Sequence, residues 1–184
     1  KKYGVNKIYE GGLSVRTTLN PRLQLFADNA LIEGLEILDK RQGWRGPIKN
    51  IKLEKLTFNE INLTLKKLEL GLPTNRFVGV VIGLSDKKVK VLLSNNKEIS
   101  ILMEKLSWVR NQKIIINSDK KKQFLLGKPY QSFKNFLKKG DIILLKKTIF
   151  MGSKKLFELS QIPKVNGAIV VMNPNTGRVL AMSG

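Results

Sequence analysis

Leu23, Phe26, Ala27, Ala30, Leu31, Gly34, Leu35 and Leu38 recur every three or four positions, with Arg22, Asp28, Glu33, Glu36 and Lys40 between them. This spacing predicts an amphipathic helix that buries the first set and gives the second to water. Asn20-Pro21 supplies its start, an N-cap followed by proline at the one place in a helix where a missing N–H costs nothing. It should end near Gln42-Gly43, where Trp44-Arg45-Gly46-Pro47 turns the chain away. Before the helix, Leu13 to Leu19 alternates as a strand does. A second helix is signalled by Thr57 with Glu60 three places on, a capping box, and by Phe58, Ile61, Leu65 and Leu68 on one face, until Gly71 and Pro73 stop it.

From Arg76 the period changes to two. Phe77 to Leu84, Val89 to Leu93, Glu98 to Met103, Asp141 to Lys146 and Lys155 to Gln161 read as strands, separated by turns such as Ser94-Asn95-Asn96 and Met151-Gly152-Ser153. The stretch from Asn111 to Gly140 fits this pattern poorly. Ile114-Ile115-Ile116 predicts a strand extension, Ser118 to Gln123 an exposed loop and Tyr130 to Leu137 a short helix. Five strands with one long interruption resemble an OB-like barrel. A hairpin is expected last, with Gly167 to Met172 and Arg178 to Met182 joined by the turn Asn173-Pro174-Asn175-Thr176-Gly177. Its strands are apolar on both faces, as in a sheet covered on each side, so it is expected to open a larger sheet. The first residues, Lys1 to Lys7, lack an initiator Met and the apolar segment of a signal peptide, and so the chain is expected to be part of a longer protein. No stretch of about eighteen apolar residues predicts a membrane-spanning helix.

The 184 residues, 42% of them hydrophobic, suffice for one ordinary core or two small ones. With no Cys and no His, disulfides, Cys/His zinc sites, thiol nucleophiles and imidazole bases are excluded. A net charge of +20 suits nucleic acid, anionic lipid or a polyanionic polymer such as a cell-wall glycan. Most of it comes as scattered pairs, Lys66-Lys67, Lys87-Lys88, Lys138-Lys139, Lys146-Lys147 and Lys154-Lys155, with one run at Lys120-Lys121-Lys122. Dispersed lysine is ordinarily a solvated face, whereas phosphate and base recognition uses arginine forks held in one groove. A weak, salt-sensitive attraction to polyanions is the expectation.

Val15-Arg16-Thr17-Thr18-Leu19-Asn20 with Gln24, Ala27 and Ala30 downstream, Arg41-Gln42-Gly43-Trp44-Arg45-Gly46-Pro47, Trp108-Val109-Arg110, Gln161-Ile162-Pro163-Lys164-Val165-Asn166-Gly167-Ala168 and Asn173-Pro174-Asn175-Thr176-Gly177 follow one another in order. Together they resemble the middle of a class A penicillin-binding protein over nearly the whole chain. That resemblance implies an interdomain linker strand and helix over residues 1–48, an OB-like barrel over 49–164, and the first strands of a transpeptidase sheet over 165–184. The expected fold is mainly β with α. The resemblance also implies a parent that is a peptidoglycan glycosyltransferase and serine-type DD-transpeptidase, on the periplasmic side of the bacterial cytoplasmic membrane. In that family the nucleophile follows the opening strands, which puts the catalytic Ser beyond Gly184 and the glycosyltransferase acids before Lys1.

A transpeptidase needs Ser-x-x-Lys, Ser-x-Asn and Lys-Thr-Gly. Ser85/Lys88, Ser94/Lys97 and Ser118/Lys121 have the first spacing, but all lie in polar turns of a Lys-rich chain, and Lys147-Thr148 is followed by Ile149. None is taken as catalytic. Glu33 with Glu36, or Glu54 with Glu60, could pair as glycosidase acids, yet solvation explains each. No metal or cofactor is expected. Trp44 beside Arg45, and Trp108 near Arg110, are the candidate interaction surface, although Trp beside a Gly-Pro turn more often pins a loop to a core. The expected role is a noncatalytic module that couples the glycosyltransferase and transpeptidase domains and offers a surface to peptidoglycan or envelope regulatory proteins. Membrane attachment would come only through a preceding part of the parent. The alternative is a basic OB-fold nucleic-acid reader. No nucleic acid is expected as partner, because Val89 to Leu93 and Glu98 to Met103 carry no aromatic on which a base could stack, and Phe77, Phe150 and Phe157 sit on other strands.

Overall fold

In the computed structural model Asn20 caps the first helix, α1 (Pro21–Arg41), its Oδ1 accepting from the backbone N–H of Arg22 at 3.0 Å and of Leu23 at 3.2 Å. The structure describes residues 10, 11, 14, 16–73, 75–116, 118, 119, 122–149 and 155–184. It divides into two units, residues 1–35 with 165–184 and residues 36–164, the division falling inside α1.

In the first unit no strand precedes α1 among the described residues. Leu13 and Val15 lie outside the described residues, and Arg16 to Asn20 is irregular. The hairpin of β9 (Ile169–Met172) and β10 (Val179–Ser183) is present, and Thr18 Oγ1 and the Asn20 N–H donate to the Val179 and Leu180 carbonyls at 2.5 and 2.8 Å. A side-chain bond and a cap thus take the place of a ladder. Gln24 extends the contact, its Nε2 donating to the Met182 carbonyl at 2.9 Å and its Oε1 accepting from the Met182 N–H at 3.0 Å. Asn173 Oδ1 accepts from the N–H groups of Asn175 and Thr176, and Gly177, at φ +68°, completes the turn. Ala181 is buried on one hairpin face, while Val170, Met172, Val179 and Met182 are exposed on the other.

The buried line of α1 differs from the predicted stripe. Ala27 is buried and Leu23, Leu31 and Leu35 are partly so, an i, i+4 row, but Phe26, Ala30, Gly34 and Leu38 face outward. Glu36 and Asp39, which belong to the second unit, are buried. Hydrophobic periodicity cannot find such positions, because carboxylates occupy them.

In the second unit, β1 (Lys49–Asn50), β2 (Arg76–Leu84), β3 (Lys88–Leu93), β4 (Glu98–Leu102), β7 (Asp141–Ile149) and β8 (Lys155–Ser160) make one antiparallel sheet. Its order is β1-β7-β2-β3-β4, with β8 on β7. The five expected strands are all there, but the barrel is not closed. No ladder joins β4 to β8 among the described residues, and a gap of about 130 Å³ lined by Ile101, Leu106, Leu156 and Phe157 lies between them. Side chains, not backbone bonds, line the seam. One face curls around Val81, Val91, Ile101, Phe133, Ile143, Leu145 and Leu159, and the other, with Val78, Val80, Ile142 and Leu144, is covered by α2 (Phe58–Glu69) through Ile61 and Leu65. Burial on both faces explains the unbroken apolar run of β2. The Thr57/Glu60 capping box forms as predicted, but Phe58 is exposed. Glu69 at the helix end holds the Val78 N–H at 2.9 Å and the Ser94 hydroxyl at 2.6 Å.

The stretch that fitted poorly holds a separate hairpin, β5 (Arg110–Ile116) with β6 (Lys122–Pro129). Where a short helix was expected after Tyr130 there is one 3₁₀ turn, Phe133–Asn135, with the Phe133 ring driven into the core. The turn expected at Met151-Gly152-Ser153 lies outside the described residues.

Candidate functional site

Glu36 and Asp39 lie one helical turn apart on α1, on the same face, and each is met by cations from later in the chain. Asp39 receives Arg45 as a fork, Nη1 to Oδ1 at 2.6 Å and Nη2 to Oδ2 at 3.0 Å, together with Gln161 Nε2 at 2.8 Å and the Lys164 N–H at 3.2 Å. Arg45 Nη2 also donates to the Ile162 carbonyl at 2.5 Å. Every lone-pair direction of the carboxylate is used, which is how a buried charge is tolerated. Glu36 pairs with Arg76 of β2 and, at 2.8 Å, with Lys146 of β7. Burial lowers the pKa of the Arg76 guanidinium from its ordinary value. The turn after α1 and the segment ending at Lys164 therefore converge on Asp39, and strands β2 and β7 converge on Glu36.

The four candidate surface residues gather around this junction. Trp44 is buried, donates its backbone N–H to the Arg110 carbonyl at 3.1 Å and forms a parallel β-bridge with Asn111. Its ring meets Trp108 edge-on at 5.8 Å and Phe136 at 6.2 Å. Trp108 is half-buried under the ammonium of Lys40 at 5.5 Å, and Arg110 Nε turns back to the Ser107 carbonyl at 3.2 Å. Lys40, expected in water, is partly covered, and burial lowers its pKa against the opposing pull of Glu158. Trp44 and Arg45 thus hold the junction together from within, while Trp108 and Arg110 reach its surface. Sequence reasoning missed Glu36, Asp39 and Gln161. A signal for them existed in the acids spaced i, i+3 on α1 next to an Arg-bearing turn.

The candidate nucleophiles sit elsewhere. Ser85 Oγ donates to the Lys88 carbonyl at 2.9 Å and accepts from its N–H in a hairpin turn, and Ser94 Oγ is spent on Glu69. Lys121, the partner of Ser118, lies outside the described residues. Phe77 and Phe157 pack on each other edge-on at 5.4 Å against the core, and Phe150 lies outside the described residues. No cluster of acidic side chains suited to a metal occurs among the described residues. No helix among them is long and apolar enough to cross a membrane.

Residues 44–165 match a family profile described as the penicillin-binding protein OB-like domain. Among similar proteins, penicillin-binding protein 1A of Rickettsia felis is 34% identical over 97% of this chain and 19% of its own length. Penicillin-binding protein 1A of Vibrio cholerae is 28% identical over 100% of this chain and 22% of its own. The chain spans about a fifth of the length of these relatives. The crystal structure of penicillin-binding protein 1A from Haemophilus influenzae superposes over the whole chain with a TM-score of 0.68 at 21% identity, covering 23% of that protein, a likeness of fold.

Proposed function

The chain belongs to the penicillin-binding protein OB-like domain family, and from that premise we propose that it is a noncatalytic module of a bifunctional peptidoglycan synthase in the bacterial envelope. Its work is to couple the glycosyltransferase and transpeptidase domains of the parent and to present a docking surface to cell-wall glycan or envelope regulatory proteins. The observation that carries this reading is the junction at Glu36 and Asp39, where buried charges are spent on holding chain segments together. The apolar outer face of β9 and β10 suits a further layer of protein, as a transpeptidase sheet would supply. A basic surface suits an anionic polymer outside the membrane, which is where such a synthase works.

Three measurements on the isolated chain test the reading. A fluorescent penicillin should leave it unlabelled, and a stoichiometric covalent adduct would show a nucleophile in this segment. Sedimentation with murein sacculi, and pull-down with envelope lipoproteins, should retain it on one or the other. Loss of both would remove the docking role and leave a spacer.

A further inference from the structure

We infer that the cleft formed by Lys40, Arg41, Ser107, Trp108, Arg110 and Leu126 is a binding site for a phosphate monoester. It concerns a small ligand and stands apart from the docking role above. The cleft holds about 310 Å³ and lies wholly within the second unit, at the lower end of the ~300–1,000 Å³ of small-ligand sites. Its cations come from two places. Lys40 and Arg41 are the last two residues of α1, and Arg110 opens β5. No carboxylate lines the cleft, and none of the three cations makes an ion pair among the described residues. Complementing the partial negative charge at a helix C-terminus accounts for Lys40 and Arg41. It does not account for Arg110, which a different element brings to the same cleft.

The donors set the class of ligand. Arg110 Nε donates to the Ser107 carbonyl at 3.2 Å, which fixes the plane of the guanidinium, and no hydrogen bond among the described residues engages its Nη1 or Nη2. The Lys40 ammonium lies 5.5 Å from the centre of the Trp108 ring, held by the negative face of the indole. Its pKa is lowered first by burial and further by Lys146, and Glu158 opposes this without forming an ion pair. An anion in the cleft therefore favours the charged form of Lys40. Arg41 is exposed, and no hydrogen bond engages its guanidinium among the described residues. Ser107 adds a hydroxyl at the rim. A carboxylate, with two oxygens and one charge, is satisfied by a single arginine fork. A phosphate monoester brings three terminal oxygens and about −1.5 to −2 charges, which suits two forks and an ammonium. Leu126, 41% exposed, gives the organic part of the ester an apolar flank. The carbonyls that end α1 oppose an anion only in part, because the Gln42 and Gly43 N–H groups donate to those of Asp39 and Lys40 at 3.0 and 3.1 Å. A run of bases is disfavoured, since Trp108 is the one aromatic that lines the cleft among the described residues and Lys40 covers its face.

Trp44 and Trp108 are the only tryptophans and Trp108 lines the cleft, so intrinsic fluorescence follows its occupancy. Titration of the 184-residue chain with glycerol 3-phosphate should give a saturable change, and acetate at equal ionic strength should bind about fivefold or more weakly. Arg110→Gln should weaken binding of the phosphate by about fivefold or more. Should Arg110→Gln not fold, Arg41→Gln at its exposed position must weaken binding instead. Lys66→Gln removes the same charge from an exposed position of α2 and should leave binding unchanged, which separates a site from the general attraction of a chain with a net charge of +20. Sedimentation with phosphatidylcholine vesicles carrying phosphatidic acid distinguishes the sources of the phosphate. Retention that Arg41→Gln abolishes assigns it to a lipid headgroup, whereas soluble binding without retention assigns it to a free ester, and the site stands in both cases. No saturation, acetate bound as tightly as the phosphate, an equal loss in Lys66→Gln, or displacement of glycerol 3-phosphate by an equimolar oligothymidylate overturns the proposal.

Discussion

Arg45 and Asp39 form a two-pronged ion pair across only six positions of chain, and the same carboxylate also holds Gln161 and the backbone of Lys164. One side chain thus fixes the end of α1, the turn that follows it and a segment more than 120 positions later.

Asp39→Ala should be among the most damaging single changes in the protein. It leaves the Arg45 guanidinium, whose side chain is 15% exposed, without its anion, and breaking a buried pair from one side costs about 3–5 kcal/mol. Asp39→Asn keeps an acceptor for Gln161 and should cost less. Urea unfolding with an unchanged m-value checks both, and an Asp39→Ala protein within about 0.5 kcal/mol of the parent would sink the idea.

Glu36 and Arg76 make the opposite case. Both are buried, and their attraction has to offset the desolvation of each. Glu36→Gln should therefore destabilise more than the double change Glu36→Leu with Arg76→Met, which removes charge from both sides and fills the space with hydrocarbon. Lys146 is partly exposed and keeps its access to water in the double variant. Denaturation of the three proteins side by side decides the order, and the reverse ranking would show that the pair itself stabilises the fold.

Where local rules act alone, the sequence was legible. The Asn20-Pro21 start, the Thr57/Glu60 box and all five barrel strands follow from caps and from period two, which depend on near neighbours. Long-range partners were not legible. Glu36 and Asp39 look like solvated helix positions until Arg76, Lys146 and Gln161 arrive from elsewhere. The failure of β4 and β8 to pair is likewise a matter of how far a sheet curls, which no single strand encodes. The candidate surface was half legible, since a Trp beside a Gly-Pro turn announces a pinned loop without naming what it is pinned to. Trp108, Phe136 and the Arg110 carbonyl supply that answer.

Two glycines should respond with opposite signs. A Cβ at Gly79 would sit 2.4 Å from Val91 Cγ1 and 3.1 Å from the Leu92 carbonyl oxygen, in a core with no outlet, so Gly79→Ala should cost about 1–3 kcal/mol through overpacking. At Gly34, in the interior of α1, a Cβ meets nothing within 4 Å, so Gly34→Ala should stabilise by roughly 0.5–1 kcal/mol. Thermal unfolding of the pair is the check. A neutral Gly79→Ala would mean that β2 and β3 can separate at that point.

Acid should weaken the fold partly through two exposed carboxylates. Glu60 is held below its usual value first by the Thr57 backbone N–H and then by the Thr57 hydroxyl, and Asp86 first by the Ser132 hydroxyl and then by Lys134. In each case the unfolded chain binds the proton more readily, so stability rises with pH across the titration. Both contributions are complete above the ordinary values of 4.5 for Glu60 and 3.8 for Asp86 and are lost as pH falls through the lower folded values. Glu60→Gln should flatten that acid limb, Thr57→Ala should flatten it less because the backbone bond survives, and Ser132→Ala should do so through Asp86 alone. Unfolding midpoints measured from pH 7 down to pH 2 resolve the three. If Glu60→Gln leaves the slope below pH 4.5 unchanged, the capping box does not govern the acid response of α2.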